Sequence, residues 1–388
     1  MENVKFVNFQ FVDILGITRE KLVPVTIYQR YLESGLYFDG SSIFGYTDVK
    51  CSDLKLVADK NYIYNLPQNK KIIFCQAEHG ADSRKALKNV IKKYSDMGIE
   101  AKIGAELEFF IFDKSSEGVI INNLENKGYL GSLSRKLTKF FERVLVILES
   151  LKFNVECVHH ECAPNQYELD FKFDSPLEIA DKVTIIKGIL KDVAEKSSLY
   201  VSFMPKPFSD KAGSGMHINI SLYKGGNNLF SDDITDTQNN FINGIFAHIG
   251  GITAFANSLI NSYKRLGKNE SPDKVYCSRV DRRALIRIPL SSKQNSRIEL
   301  RSPDNCCNPY TTFAAILYAG MDGIINKIKT IPKTSVPISL SESLKRLKRD
   351  KCLCGYMGEV VNSYIGVKQK ECEEFYSYIT DWEIKKYL

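Results

Sequence analysis

The sequence predicts an α+β protein in two domains: a small β-rich unit over residues 1–80 and a larger one over residues 81–388. Three observations predict it. A chain of 388 residues is long enough for two domains. The first 80 residues carry strand-type runs bounded by turn residues. From residue 83 onward, segments with apolar residues at helical spacing are interleaved with strands whose two faces differ.

Composition narrows the class. Hydrophobic content of 44% and charged content of 26% are those of a soluble globular protein. Lys+Arg 53 against Asp+Glu 46 gives +7, spread along the chain with one modest cluster at residues 345–351. A nucleic-acid binder concentrates its basic charge more, whereas small phosphate-bearing substrates suit this balance equally well. The ten Cys are scattered singly, apart from Cys306–Cys307 and Cys352/Cys354, with no CxxC pair. The N-terminus, MENVKFVNFQFVDILG, has no basic region followed by a long apolar core. Both features lead to the expectation of a cytoplasmic protein with reduced thiols. The apolar stretch around residues 312–325 is broken by Gly320, Asp322 and Gly323, so no membrane span is expected. There is no internal repeat.

In the first unit, residues 4–14 and 22–25 flank Gly16 in a hairpin-like pattern. Residues 37–46, YFDGSSIFGY, set Asp39, Gly40, Ser41, Ser42 and Gly45 between aromatics. This is turn chemistry that lets a loop approach something closely, or an ordinary surface turn. Residues 54–65 and 71–75 add strands, and the polar stretch 77–83 marks the domain boundary. A helix follows over residues 83–97, with Ser83 as cap and Gly98 as stop.

Next comes the stretch that organises the larger unit, residues 103–113, IGAELEFFIFD. As a strand it places Glu106, Glu108 and Phe110 on one face. Two carboxylates two apart repel unless a cation lies between them or water covers them. Its apolar neighbours favour burial, and oxygen ligands favour Mg²⁺ or Mn²⁺; a half-exposed strand with two Glu is the alternative. Residues 116–131 form a Gly- and Asn-rich loop containing Tyr129, and residues 133–151 an amphipathic helix. In residues 155–173, the turn Ala163–Pro164–Asn165 suggests two short strands aiming Glu161 and Glu168 at one point. His159 and His160 lack the spacing of a helical zinc motif and are expected to be structural.

Residues 176–200 give another helix. After the Gly213–Ser214–Gly215 loop, Met216, Ile218 and Ile220 alternate with His217, Asn219 and Ser221, a two-faced strand. The loop's N–H groups suit an anion. Residues 239–263 form a long apolar helix and residues 264–273 a polar loop. Arg279, Arg282, Arg283 and Arg287 follow, suited to phosphate or carboxylate, with Arg279 and Arg283 expected on a solvated face. In residues 296–302, Arg297, Glu299 and Arg301 share a face, either as a salt-bridge ladder or as part of a metal–phosphate site. Residues 308–330 form a helix after Pro309, and the remainder is helical. An oxygen-rich cation site with one His, beside an arginine cluster, suits phosphoryl transfer from a nucleotide. No Walker loop or GxGxxG is present.

The motifs DGSSI (39–43), GAELEFF (104–110), HHECAPNQYELDF (159–171), FMPKP with GSGMH (203–217), NSYKRL (261–266), ALIRIP (284–289) and RIELRSPDNCCNPY (297–310) run in an order that resembles the glutamine synthetases of bacteria and archaea. The resemblance covers nearly the whole chain. It implies an N-terminal β-grasp domain and a catalytic domain with a curved antiparallel sheet flanked by helices. It also implies a homo-oligomer of two stacked hexameric rings with active sites between subunits. Two divalent cations are implied, one on Glu108, Glu161 and Glu168, the other on Glu106, His217 and Glu299. The implied reaction phosphorylates the γ-carboxylate of glutamate with ATP, and ammonia then displaces phosphate. Arg265 would hold the α-carboxylate, Arg282 and Arg301 the phosphoryl groups, and Arg287 and Arg297 the nucleotide phosphates. Gly213 is carried over as substrate-binding. Glu270 would close the site and take a proton; Asp39 and Ser42 of a neighbouring copy would bind and deprotonate ammonium, with Tyr129 lining that pocket.

The sequence departs from the family pattern in three places. Ala212 stands where the family has Asn, the Glu270 loop is one residue shorter, and residues 329–342 replace a longer segment that carries a regulatory tyrosine in some members. Adenylylation is therefore not expected. A γ-glutamyl ligase using another amine, or a non-catalytic ring, are the alternatives; the complete set of cation ligands and arginines counts against the second.

Overall fold

The computed structural model describes residues 4–67, 69–121, 125–231, 233–291, 293–329 and 334–388. Its strands are β1 Phe6–Val12, β2 Thr18–Pro24, β3 Leu36–Asp39, β4 Asp53–Leu66, β5 Lys70–Ala77, β6 Glu100–Ser115, β7 Gly118–Ile120, β8 Val155–His160, β9 Gln166–Phe171, β10 Leu199–Ser202, β11 Met216–Lys224, β12 Asn227–Asn228, β13 Cys277–Ser278, β14 Ile286–Arg287 and β15 Ile298–Leu300. Its helices are α1 Tyr28–Ser34, α2 Ser83–Asp96, α3 Arg135–Ser150, α4 Pro176–Glu195, α5 Asp236–Ala256, α6 Pro309–Asn326, α7 Leu340–Arg349, α8 Lys351–Met357, α9 Glu359–Ser377 and α10 Asp381–Tyr387.

The first five strands form one sheet in the order β2-β1-β5-β4-β3. The hairpin around Gly16 is present: β1 and β2 pair antiparallel, and Gly16 has φ +84. A left-handed φ suits glycine, and a Cβ there would also meet Asn308 Cα at 3.2 Å. Asn308 donates to the Asp13 carbonyl at 2.9 Å and caps α6, so the hairpin tip rests on the start of that helix. The β1–β5 pair is parallel, which places β1 between β2 and β5.

The remaining strands form a ten-stranded sheet whose main path is β13-β14-β15-β11-β6-β9-β8. It is antiparallel throughout except for the parallel β13–β14 pair, so it is mixed. The 16-residue β6 is its hub, pairing with β11, β9, β10 and β7. The inner face of β6 (Ile103, Ala105, Leu107, Phe109) is fully buried against helices. Core helices α5 and α6 are apolar almost all round, as helices packed on both sides must be.

The junction between the two sheets is polar. Arg84 of α2, 2% exposed, forms a short ion pair with Asp181 of α4 and lies 3.5 Å from Asp59 Oδ2 of β4. Tyr310 of α6 donates to the same Asp181 at 2.6 Å.

Four expectations need correction. Asp82, not Ser83, caps α2: its carboxylate accepts from Lys85 N, while Ser83 is turned to the Val12 carbonyl. The expected helix over 176–200 ends at Glu195, and Leu199–Ser202 pairs with β6 as a strand. The helix expected over 239–263 begins at Asp236 and ends at Ala256, before a short 3-10 turn. In the loop 116–131, β7 extends β6 as a hairpin. The segment 329–342, singled out for its missing regulatory tyrosine, falls partly outside the described residues. Among the described residues no helix is long and apolar enough to cross a membrane.

Candidate active site

Strand register assembles the site. Across β11, β6 and β9, His217 is paired with Glu106, Glu106 with Asp170, and Glu108 with Glu168. Across β14, β15 and β11, Arg287 faces Glu299 and Glu299 faces Asn219. Like charges directly opposite on neighbouring strands repel. Two such pairs side by side, on a strand whose other face is sealed in the core, mark a place built to receive positive charge.

Glu106, Glu108, Glu168, His217, Arg287 and Glu299 among these border a cavity of about 420 Å³. Of the residues named from sequence, Glu106, Glu108, Tyr129, Glu161, Glu168, Gly213, His217, Arg265, Glu270, Arg282, Arg287, Glu299 and Arg301 all line it. Arg297 does not: its Nε donates to Asn219 Oδ1 at 2.9 Å, beside the cavity wall. Asp39 and Ser42 are also elsewhere, exposed on the N-terminal sheet, where Ser42 Oγ donates to Asp39 Oδ2 at 2.6 Å. The serine hydroxyls hold the Asp39 carboxyl below its usual range.

The carboxylates divide into two groups by what faces them. Glu106 accepts from His217 Nδ1 at 3.0 Å and from Asn219 Nδ2 at 2.8 Å. Burial pushes its pKa up, but the His217 and Asn219 bonds and Arg301 outweigh it and hold it at about 2. Glu299, fully buried, lies between two guanidiniums, 2.5 Å from Arg287 Nε and in a short pair with Arg301. The ladder expected from Arg297, Glu299 and Arg301 forms only on its Arg301 side: Arg287 takes the other side of Glu299, and Arg297 turns to Asn219. On the other side, burial and the charges of Glu108 and Asp170 push Glu168 up to about 7 against the His159 contact. Burial and Glu108 push Glu161 up as well.

Ligand atoms of Glu106, Glu168 and His217 lie within 4.8 Å of one another, as do those of His159, Glu161 and Glu168. Glu168 belongs to both groups. Carboxylates with a single imidazole suit a hard divalent cation, so the donor set fits the implied metal. Glu108 is more committed: its Oε2 accepts from Gly215 N at 2.8 Å and Gln166 Nε2 at 3.1 Å, leaving Oε1, 3.6 Å from His217 Nε2.

Beside the acids, Arg265 is 3% exposed and donates to the Ser302, Pro303 and Arg301 carbonyls. Gly215 permits this position, since a Cβ there would stand 2.3 Å from Arg265 Nη2. Arg282 is exposed at the cavity mouth. Glu270, 59% exposed, reaches Arg301 at 3.7 Å across the opening. Tyr129 stands edge-on to His159 at 5.5 Å. Arg279 and Arg283 are exposed, as expected, and Arg283 pairs with Asp281.

Two expectations fail here. The Gly213–Ser214–Gly215 loop offers no free N–H pair to an anion, because Ser214 N donates to the Pro205 carbonyl and Gly215 N to Glu108. His160 is structural, buried between the Glu161 and Glu125 carbonyls, but His159 is not. Its Nε2 lies 3.3 Å from Glu168, and that carboxylate raises it to about 9 despite burial. Sequence reasoning also passed over Gln166, Asn219 and Asn305. Asn305 Nδ2 ties the Glu108 and Gly215 carbonyls together at 2.6 and 2.7 Å. Asn219 had a visible signal, its alternation with His217 on one strand face. Asn305 sits in a turn with no periodicity to betray it, and Gln166 is the first residue of β9, where the alternation has only begun.

A curled sheet that sets guanidiniums beside a wall of acids and one imidazole defines an enzyme handling an anionic substrate together with divalent cations. The Glutamine synthetase, beta-Grasp domain family matches residues 3–77, and the Glutamine synthetase, catalytic domain family matches residues 80–387. The glutamine synthetase of Pyrococcus abyssi is 36% identical over 99% of this chain and 96% of its own length. That of Thermotoga maritima is 34% identical over 100% and 97%. Among solved structures, a GmaS/ADP complex superposes with a TM-score of 0.90 at 26% identity, covering 99% of this chain and 96% of that one. Plasmodium falciparum glutamine synthetase does so at 0.89 and 26%, over 99% and 96%. The chain belongs to the glutamine synthetase family, ATP-dependent ligases that make glutamine.

Proposed function

We propose that this chain ligates ammonia to the γ-carboxylate of glutamate through a γ-glutamyl phosphate. The observation that supports it is a single cavity in which a wall of acids stands beside the guanidiniums of Arg265, Arg282, Arg287 and Arg301. Phosphoryl transfer needs both, cations toward the phosphate oxygens and fixed positive charge where new charge develops. Glu106, Glu108, Glu161, Glu168, His217 and Glu299 would hold two divalent cations, magnesium or manganese, which supply charge neutralisation when bound. Arg265 holds the α-carboxylate beside Gly213. Arg282 and Arg301 face the transferred phosphoryl group, and Arg287 and Arg297 the nucleotide phosphates. Glu270, already reaching Arg301 across the mouth, closes the site, keeps water from the acyl phosphate and takes a proton from the ammonia adduct.

The exposure of Asp39 and Ser42 supports an assembly in which a neighbouring copy supplies them to the ammonium pocket near Tyr129. Two stacked hexameric rings, a boundary between domains at residue 80, and a cytoplasmic location complete the reading. The test measures ATP-dependent phosphate release with Mg²⁺ and glutamate, with and without ammonium, while glutamine is followed. Ammonium-dependent release with matching glutamine is the expected result. Release that responds only to an alkylamine, or none at all from intact oligomers, overturns it.

A further inference from the structure

A second cluster of ligating side chains shares no residue with the candidate active site. His248 of α5, Asp322 of α6 and Cys352 of α8 bring ligand atoms within 4.8 Å of one another. His248 is contacted on both ring nitrogens: Nε2 lies 3.1 Å from Asp322 Oδ2, and Nδ1 lies 2.8 Å from Asp350 Oδ2. Asp350 joins α7 to α8 and caps α8 through Leu353 N. All four side chains border a cavity of about 790 Å³, with Arg346, Arg349 and Lys351 at its edge. Glycine makes the approach possible. A Cβ on Gly251 would stand 2.7 Å from Leu353 and 3.2 Å from Asp350 Oδ2.

We propose that His248, Asp322 and Cys352 bind a zinc ion here, with Asp350 fixing the His248 ring from behind. Donor chemistry selects the metal. Imidazole, thiolate and carboxylate together match zinc, whereas magnesium takes oxygen and water. Tetrahedral zinc with bonds of about 2.0–2.3 Å sets its ligands roughly 3.3–3.7 Å apart, so the observed cluster needs only a small contraction. A carboxylate behind a ligating imidazole holds the tautomer that leaves the other nitrogen free for metal. The fourth position falls to water from the cavity. Binding releases the Cys352 proton and ties α5, α6 and the α7–α8 joint together. Nothing in this site depends on the reading of the acid wall.

The competing arrangement is an imidazolium held between Asp322 and Asp350 with no metal. Full-length protein loaded with cobalt in excess Mg²⁺, which fills the oxygen-rich sites, distinguishes them. We expect thiolate-to-cobalt charge-transfer absorption that disappears in Cys352→Ser and persists in Cys162→Ser, the thiol beside the acid wall. Bound zinc after dialysis falls by about one equivalent per chain in Cys352→Ser and in Asp322→Asn, both checked for native circular dichroism. Asp350→Asn retains the absorption but weakens affinity by roughly 10- to 100-fold. Absorption that survives Cys352→Ser, or wild-type protein with no more zinc than the variants, overturns the proposal.

Discussion

Two buried networks of this molecule use the same residue types to opposite ends. At the junction of the sheets, Arg84 meets Asp181 and Asp59, and its guanidinium lies 4.6 Å from the Tyr62 ring and 5.1 Å from the Phe74 ring. Opposite charges there are in contact and shut away from solvent. In the cavity, Glu299 is held by Arg287 and Arg301, whereas burial and neighbouring carboxylates push Glu161 and Glu168 up. Charge matched by its partner only holds structure, whereas acids crowded together without enough cations leave attraction for a ligand to satisfy. Burial alone does not separate the two, since both networks contain side chains almost wholly withdrawn from water.

Arg84→Met puts the first half of that contrast at risk. It leaves Asp181 buried without its partner, and a stability loss of about 3–5 kcal/mol is expected from urea denaturation at neutral pH. The kcat per folded molecule should stay at the wild-type value; a fall in kcat would show that the junction also shapes the site. Arg301→Gln reverses the pattern, lowering the rate of glutamine formation by roughly 10²–10³-fold. Its urea midpoint should move little, and a large shift would make Arg301 a structural residue like Arg84.

A pH series sharpens the comparison. Glu168 rises from 4.5 to about 7, Asp170 from 3.8 to about 6, and His159 from 6.5 to about 9 on folding. Each holds its proton more tightly when folded, so its stabilising effect is complete below the unfolded value and is lost as pH rises through the folded one. Without divalent cations, the melting temperature should therefore fall between about pH 5 and pH 9. Added Mg²⁺, which favours the ionised carboxylates, should raise it more at pH 8 than at pH 6. A melting temperature that climbs with pH in metal-free buffer would contradict the picture of an under-compensated acid wall. The smallest effect is Asn219→Ala, which removes one bond to Glu106 and one to Arg297. A loss of about 0.5–1.5 kcal/mol in stability is expected, with a modest rise in the Glu106 pKa seen by carboxyl NMR.

Much of this was legible in the sequence because it is periodic. Alternation along residues 103–113, 216–221 and 296–302 placed Glu106, Glu108, His217 and Glu299 on their correct faces. The cavity confirms that those faces converge. What resisted reading was aperiodic or depended on register. The pairing of Glu106 with Asp170 follows from how β9 lies against β6, which no single strand reveals. His159 was read as structural because adjacent histidines usually are, yet the hairpin turn sets it against Glu168. Helix ends misled where a better cap stood one residue earlier, as at Asp82, or where a strand followed within four residues, as at Leu199. The anion-binding reading of Gly213–Ser214–Gly215 failed because the protein's own Glu108 and the Pro205 carbonyl had already claimed those donors.

The hub position of β6 also bears on how the chain is born. Its aromatic run leaves the ribosome early, but its longest partner, β11, begins about a hundred residues later. At roughly 5–20 residues per second, the edge that β11 will cover waits about 5–20 s for its partner, although β7, β9 and β10 emerge sooner. Phe110 and Phe112 wait about as long for Phe208, the ring that packs against both in the finished fold. The element that anchors the chemistry is thus also one whose open edge is available for mispairing while the chain is being made.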